Sequence, residues 1–150
     1  MTKINTTRFG EIEFKEEDII HFEKGLPGFI QEKQFIIVQL ESGNPLAFLQ
    51  SVLNPDLAFV ITNPFVYYQD YEFEIDEQIK EELEIKDIED VSVWGILSIP
   101  DKFEKTTINL KGPLVINTRV KKGKQIILQD KEDKLIKTPL FPHLIEEGGK

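Results

Sequence analysis

Residues 91–99 read VSVWGILSI, and this stretch is the clearest indication of the fold class of the chain. Its side chains alternate, so the odd-numbered positions from Val91 to Ile99 would lie on one face of a strand. Trp94 and Ile96 would lie on the other face, beside two serines. The pattern predicts a strand that is buried on one side and partly covered on the other.

Other short segments have the same strand-forming character. Three runs rich in β-branched and aromatic residues, each bounded by Gly, Asn or Pro, lie at residues 35–40, 47–51 and 59–62. Further candidate strands are residues 4–7, 11–14, 106–110, 114–118 and 125–129. Because no long helices alternate with these strands, the sequence predicts a mainly β fold, a single small antiparallel barrel-like or sandwich domain.

One helix is predicted, over residues 76–85. Asp76 can cap its first turn, and an apolar residue recurs every four positions up to Leu83 as a stripe that would close over the sheet. Glu82 and Lys86 are spaced to pair one turn apart on the outside. The outer face of this helix would then consist mostly of carboxylates.

The 150 residues are enough for one domain with its own core, predicted to span residues 1–141. Residues 142–150, PHLIEEGGK, are predicted to be a flexible tail, because glycines and charges leave them little to bury. The chain has no cysteine, which excludes disulfides and thiolate metal sites. It shows no signal peptide and no apolar run of about 18 residues, so we expect a cytoplasmic protein without a membrane span.

The net charge of −9 is unevenly distributed. Residues 66–90 hold eleven acids and two lysines, whereas residues 102–138 hold ten bases and four acids. The acidic segment would repel nucleic-acid phosphates and attract basic proteins, although a solvated helix face is the more common meaning of such a run. Direct nucleic-acid binding is therefore disfavoured. It stays open as an alternative through a lysine-rich segment, 121–137, that contains Lys121, Lys122, Lys124, Lys131 and Lys134.

Enzyme chemistry finds little support in the residue pattern. The two histidines, His21 and His143, are far apart and have no ligand spacing, and no nucleophile elbow, phosphate-binding loop or dinucleotide fingerprint is present. We expect no catalytic residue, metal, cofactor or small-molecule substrate. A small hydrolase or ligand-binding barrel is the third alternative, after a protein-binding regulator and a nucleic-acid binder.

The loop HFEKGLPGF, residues 21–29, is predicted to be structural. Gly25 and Gly28 permit positive φ on either side of Pro27. A ligand-cradling loop would want basic or hydroxyl neighbours, and the sequence supplies only Lys24 nearby. The apolar residues that could plug the end of a barrel are Phe22, Leu26 and Phe29.

Residues 63–74 combine aromatic and acidic side chains, and all three tyrosines of the chain fall within five positions there. Tyrosine contributes large contact area at low rotamer cost, so such a segment is typical of protein interfaces. The structural alternative is that Phe65, Tyr67 and Tyr71 only pack against the following helix. The predicted partner-binding residues are Phe65, Tyr67, Tyr68, Asp70, Tyr71, Glu72 and Glu74.

Together these segments resemble the bacterial flagellar assembly factor FliW family, over residues 2 to 141. The order and spacing of several weak motifs carry the resemblance. They are FGEI at 9–12, GLPGF at 25–29, LQS at 49–51, NPDLAF at 54–59, NP at 63–64, Tyr71, NLKGPLVIN at 109–117 and GKQIIL at 123–128.

The resemblance implies a cytoplasmic regulator with a compact β-barrel-like fold and no catalytic activity. Proteins of this family bind unsecreted flagellin and, once released, capture the RNA-binding translational repressor CsrA, so that flagellin is translated. The charge pattern is compatible with this role, because an acidic ridge at residues 70–90 could dock beside a cationic RNA-binding surface and repel RNA.

Overall fold

The structure, a computed structural model, describes residues 2–39 and 43–143. Within these residues the chain forms eleven strands and one α-helix, α1 (Glu77–Glu82), with short 3-10 turns between them. The strands are β1 (Thr2–Thr6), β2 (Gly10–Phe14), β3 (Ile20–His21), β4 (Gln34–Gln39), β5 (Leu46–Ser51), β6 (Ala58–Thr62), β7 (Val91–Ser98), β8 (Thr107–Ile108), β9 (Leu114–Asn117), β10 (Lys122–Gln125) and β11 (Thr138–Pro139).

Seven strands close into a barrel in the order β7-β6-β5-β4-β3-β10-β9, with β9 pairing back to β7. Neighbours are antiparallel except β3 and β10, which run parallel and share a single pair, His21 with Lys122. β8 and β11 extend the sheet beyond the far end of β7, and β1 and β2 form a separate hairpin. The prediction of a mainly β, barrel-like domain with one short helix is confirmed.

The barrel interior is filled by apolar side chains from six of its seven strands, among them Phe35, Leu49, Ile61 and Leu114. Trp94 and Ile96 of β7 pack against this core. The opposite face of β7 is also covered. Val91 packs in a cluster beneath α1, and Leu97 packs against Ile108 of β8. The buried residues of the cluster beneath α1 are Leu83, Val115, Ile126 and Leu128. A strand with two covered faces is what the alternating pattern of residues 91–99 predicts.

Helix α1 begins where the sequence predicts and ends earlier. The Asp76 carboxylate accepts a hydrogen bond from the N–H of Ile79 at 2.9 Å, and the apolar stripe packs against Val115 of β9. The helix ends at Glu82 instead of continuing to residue 85, because Glu84 adopts a left-handed φ of 54°. The carbonyls of Leu83 and Glu84 at this end accept hydrogen bonds from the side chain of Asn117 in β9, which is described below.

Other strand bounds also differ from the prediction. The strand predicted at 125–129 is wrong for residues 126–129, because β10 begins at Lys122 and ends at Gln125, and the strand predicted at 106–110 is reduced to the two residues of β8. Residues 126–128 continue beside the barrel, with the N–H of Ile126 bonded to the Pro113 carbonyl at 2.9 Å. β3 and β11 have two residues each and were not expected. Of the predicted tail, residues 144–150 lie outside the described residues, and the single-domain assignment stays a prediction.

Candidate protein-binding surface

The glycine-rich loop that follows β3 closes one end of the barrel. Phe22 and Leu26 are almost completely buried and belong to the barrel core. Gly25 and Gly28 have φ values of +64° and +84°, which lets the chain turn sharply around Pro27. Phe29 is 41% exposed and lies at the rim of the plug, where its ring contacts Phe59, which itself packs against the core. The contacts of this loop are those of a structural element.

The fold brings more basic side chains to this loop than the sequence suggests. A cleft of about 450 Å³ lies beside it, lined by Lys33, Lys122 and Lys124 as well as by Lys24. Three of these lysines are engaged by carboxylates. Glu82 of α1 accepts from Lys124 at 2.6 Å and lies 3.5 Å from the Lys24 ammonium, and Lys122 pairs with Glu84 at 2.6 Å.

These contacts join the acidic segment to the basic one. The hydrogen bond from Lys124 holds the pKa of Glu82 below its ordinary value, and Lys122 does the same for the pKa of Glu84. The Arg119 guanidinium lies 3.2 Å from the Asp90 carboxylate. The predicted Glu82–Lys86 pair is wrong, because the Glu82 carboxylate is turned toward the barrel.

This charge pairing bears on the nucleic-acid alternative. Two of the five lysines considered for that role, Lys122 and Lys124, are held by carboxylates of the acidic segment. A third, Lys134, lies 3.4 Å from Glu132. A phosphate backbone approaching these lysines would meet the neighbouring carboxylates as well. The arrangement does not favour a basic binding face.

The three tyrosines pack inward against β8 and β11. They belong to a cluster formed around the buried side chains Leu97, Ile108, Leu110 and Leu140. The Tyr71 hydroxyl donates to the Leu110 carbonyl at 2.7 Å, and the Tyr68 hydroxyl donates to the Pro139 carbonyl. Burial raises the pKa of both hydroxyls.

A chain of aromatic contacts continues from these tyrosines toward α1. The ring of Tyr71 lies between Phe65 and Phe73, with ring centroids 5.7 and 5.5 Å apart, and Phe73 packs in the cluster beneath α1. Tyr67 and Tyr71 are therefore packed, but the structural alternative is wrong about the partner, because they contact the cluster at β8 and β11 and not α1. Whether any of the predicted residues contacts a partner stays a prediction.

The outward chemistry of the same segment is acidic. Asp70, Glu72 and Glu74 are exposed and form no ion pair with any residue in 2–39 or 43–143. A depression at Glu72 and Glu74 is lined by two further carboxylates, one lysine and two apolar side chains: Asp76, Asp130, Lys131, Phe73 and Leu128. Phe65 at 38% exposure flanks this acidic surface. The segment thus places its carboxylates outside and most of its aromatic area inside.

In the described part of the chain, no group of three or more His, Cys, Asp and Glu side chains could hold a metal ion. No helix among these residues is long and apolar enough to cross a membrane.

One residue that organises this region was missed by the sequence analysis. Asn117, at the end of β9, is fully buried, and its amide donates to the carbonyls of Leu83 and Glu84 at 2.8 and 3.1 Å. Its side-chain oxygen accepts from the N–H of Arg119 at 2.9 Å. Asn117 therefore fixes the end of α1 to the barrel wall. The signal in the sequence that could have indicated this role is the position of an asparagine directly after the apolar run at 114–116.

Comparison with known proteins agrees with this fold. A family model described as FliW protein matches residues 3–140. The flagellar assembly factor FliW of Geobacillus kaustophilus is 46% identical over 143 residues, covering 95% of this chain and 98% of the relative. That of Bacillus subtilis is 44% identical over 127 residues, covering 85% and 89%. A crystal structure of the flagellar assembly factor FliW matches with a TM-score of 0.86 and 45% identity, covering 94% of this chain and 98% of the solved one. The resemblance noted in the sequence is confirmed, and the chain belongs to the FliW family of flagellar assembly factors.

Proposed function

We propose that this protein is a non-enzymatic cytoplasmic regulator that binds flagellin and, when released from it, binds and antagonises a CsrA-type translational repressor. Antagonism of the repressor would relieve repression of flagellin translation. Membership of the flagellar assembly factor family supports a role in building the flagellum. What we propose beyond this role is that flagellin and the repressor are the two partners and that they bind in turn.

The observation that carries the proposal is the division of the acidic segment into two parts. In its second part, Glu82, Glu84 and Asp90 pair with Lys124, Lys122 and Arg119 of the barrel. Its first part, Asp70, Glu72 and Glu74, remains exposed and free of ion pairs within the described residues. Unpaired carboxylates on a rigid support attract a cationic protein over roughly the Debye length of about 8 Å at physiological salt.

The same carboxylates supply a mechanism of antagonism. An RNA-binding repressor presents cationic surface to phosphates. Once Asp70, Glu72 and Glu74 dock beside that surface, they repel the RNA backbone without occupying the base-reading site. Phe65 and Val66, at 38% and 60% exposure, offer apolar contact next to the charges. This combination of apolar anchor and charged rim is common in specific interfaces.

Co-purification tests the two partners. The tagged protein is mixed with flagellin, with the repressor, and with both in competition. We expect each partner to bind alone and flagellin to displace the repressor. Binding of neither partner would overturn the proposal, and simultaneous binding of both would overturn the sequential part.

A charge-neutralised variant tests the surface. A variant that combines Asp70→Asn, Glu72→Gln and Glu74→Gln should inhibit RNA binding by the repressor about tenfold or more weakly at low salt, and the inhibition should depend less on salt concentration. The matched control, Asp101→Asn with Glu104→Gln and Glu132→Gln, removes the same number of charges elsewhere and should inhibit the repressor as well as the unaltered protein does. RNA mobility shifts with the repressor measure the inhibition by each variant. Equal effects of the two variants would show that only net charge matters.

A further inference from the structure

Strand β4 has hydrogen-bonding neighbours on both sides only in its first half. Toward β5, the N–H of Val52 bonds to the Gln34 carbonyl, so even-numbered residues of β4 carry the ladder on that side. Toward β3, the N–H of Phe22 bonds to the Lys33 carbonyl, and Phe35 pairs with Ile20. The odd-numbered residues of β4 therefore direct their N–H and C=O groups toward β3.

β3 is too short to reach the next odd-numbered position. In the register of this pair, Ile37 would face Asp18, but residues 16–18 form a 3-10 turn in which the N–H of Asp18 bonds to the Lys15 carbonyl at 2.9 Å. Among residues 2–39 and 43–143, the backbone N–H and C=O of Ile37 have no hydrogen-bond partner. The barrel wall thus has a seam beside β4, where one strand position is unfilled.

A groove of about 370 Å³ lies along this seam. Its apolar lining comes from Ile12 and Phe14 of the β1–β2 hairpin, Ile20 of β3, residues 36–38 of β4 and Ile116 of β9, and its polar lining includes Thr118 and Lys121. The groove is therefore mainly apolar and lies beside the free backbone groups of Ile37, which is the combination that an added β-strand requires.

Carboxylates outnumber cationic side chains at the mouth of the groove. Glu13 and Asp18 line the groove together with Lys121, and Glu16 and Glu17 line an adjoining depression together with Arg119. Glu13 lies 3.5 Å from the Lys3 ammonium and Glu17 lies 3.9 Å from that of Lys15, so within the described residues Glu16 and Asp18 are the carboxylates here that form no ion pair. These carboxylates lie outside the acidic ridge at residues 70–90. A segment entering here would be favoured by apolar side chains at the centre and basic side chains at its ends.

We propose that this groove binds an extended segment of a protein partner, which adds to β4 as a further strand. Its backbone would bond to the N–H and C=O of Ile37, its apolar side chains would enter the groove, and its flanking lysines or arginines would face Glu13, Glu16, Glu17 and Asp18. This inference goes beyond the proposed function, because it concerns a second surface and assigns neither flagellin nor the repressor to it.

Amide hydrogen exchange of the protein alone tests the premise. The amides of Ile36 and Val38, which belong to the β4–β5 ladder, should be protected at least about a hundredfold more than the amide of Ile37. Equal protection of the three amides would show that the Ile37 N–H already has a partner and would overturn the proposal.

Binding is tested with short synthetic peptides that carry valines at alternate central positions and lysine at both ends. Fluorescence anisotropy should show saturable binding, and the Ile37 amide should become protected. A peptide with N-methylated central residues, and one with glutamate in place of lysine, should each bind at least about tenfold more weakly. No binding by any lysine-flanked peptide at millimolar concentration, or undiminished binding by the N-methylated one, would overturn the proposal.

Two protein variants separate the backbone contribution from side-chain packing. Ile37→Pro removes the free N–H without removing a bond of the β4–β5 ladder, whereas Ile37→Val keeps the N–H and trims the side chain. Only Ile37→Pro should abolish peptide binding, and Glu16→Lys with Glu17→Lys should weaken it even if the proline variant fails to fold. The Asp70, Glu72 and Glu74 variant described above should bind the peptide normally, so failure here is distinct from failure of the proposed function.

Discussion

Replacing Asn117 with alanine should detach the end of α1 from the barrel. The change removes two donated hydrogen bonds, to the carbonyls of Leu83 and Glu84, and two accepted ones, from the N–H groups of Arg119 and Val120. Each bond contributes about 1 kcal/mol, and a buried group left without a partner costs about 1 to 3 kcal/mol more. Because Asn117 is fully buried, we expect the free energy of unfolding to fall by about 3 to 4 kcal/mol.

Urea unfolding measures this loss. Trp94 is the only tryptophan of the chain and packs against the barrel core, so its fluorescence reports the folded state. The stability of a domain is about 5 to 15 kcal/mol in total, so the expected loss would move the midpoint clearly. A change within about 0.5 kcal/mol, which is typical of an ordinary surface substitution, would refute the role given to Asn117.

Asn117→Asp provides a matched control of the same shape. Its carboxylate could still accept from Arg119 but would face two carbonyls without a proton to donate. Charging is disfavoured in the folded state, so the folded pKa of this aspartate should lie above the unfolded value of about 3.9. Its deficit in stability relative to the unaltered protein should therefore be smallest below pH 3.9 and grow as the pH rises through the folded pKa. A deficit independent of pH would contradict the assignment of Nδ2 as the donor.

Three further predictions concern the loop, the aromatic segment and the charge contacts. Gly25→Ala should lower the free energy of unfolding by about 2 kcal/mol or more, because the new Cβ would lie 2.5 Å from the Ile30 backbone oxygen. Gly28→Ala meets no atom within 4 Å, so it should lower the free energy of unfolding by only about 1 kcal/mol, the cost of its positive φ. Tyr71→Phe should cost about 1 kcal/mol in urea unfolding, with binding of the repressor unchanged, because the hydroxyl donates to the Leu110 carbonyl. The pKa of Glu82 is lower in the folded protein than in the unfolded chain. Ionised Glu82 therefore stabilises the fold at pH values above the ordinary carboxyl range, and this stabilisation is lost as the pH falls through the folded pKa. Glu82→Gln should make the free energy of unfolding fall less steeply in acid.

Each of these has a clear contrary result. Equal losses for Gly25→Ala and Gly28→Ala would show that the close approach inside the loop does not limit substitution. A Tyr71→Phe protein of unchanged stability that no longer binds the repressor would place the hydroxyl at the interface. An acid unfolding profile unchanged by Glu82→Gln would show that the lysine contacts do not stabilise the fold.

Most strands of the barrel were predictable, because they are short runs rich in β-branched and aromatic residues that end at turn-forming residues. Of the strand predicted at 35–40, residues 35–39 lie in β4 and residue 40 lies outside the described residues, and residues 47–51 lie in β5. The start of α1 was predictable for a similar local reason, since Asp76 caps the first turn through its own side chain. These features depend on neighbours in sequence, which a single sequence displays directly.

The features that escaped prediction depend on distant partners. β10 begins at Lys122 in a polar stretch, and its place is set by Gly123, where a Cβ would lie 2.6 Å from the Phe22 ring. The pairing of Lys124 with Glu82 joins residues 42 positions apart, and no spacing rule reveals it. For the predicted site, the sequence identified an acidic and aromatic segment, but only the fold separates its inward tyrosines from its outward carboxylates.

Closure of the barrel through His21 and Lys122 has a consequence for the newly made chain. The two residues are separated by roughly a hundred positions, and contacts of such long sequence separation form late and slowly. While the ribosome is still adding β9 and β10, β3 and β7 therefore each lack a neighbour along one side. The cylinder can be completed only near the end of synthesis, so a transcript truncated before residue 122 should yield an open, aggregation-prone sheet and not a smaller working protein.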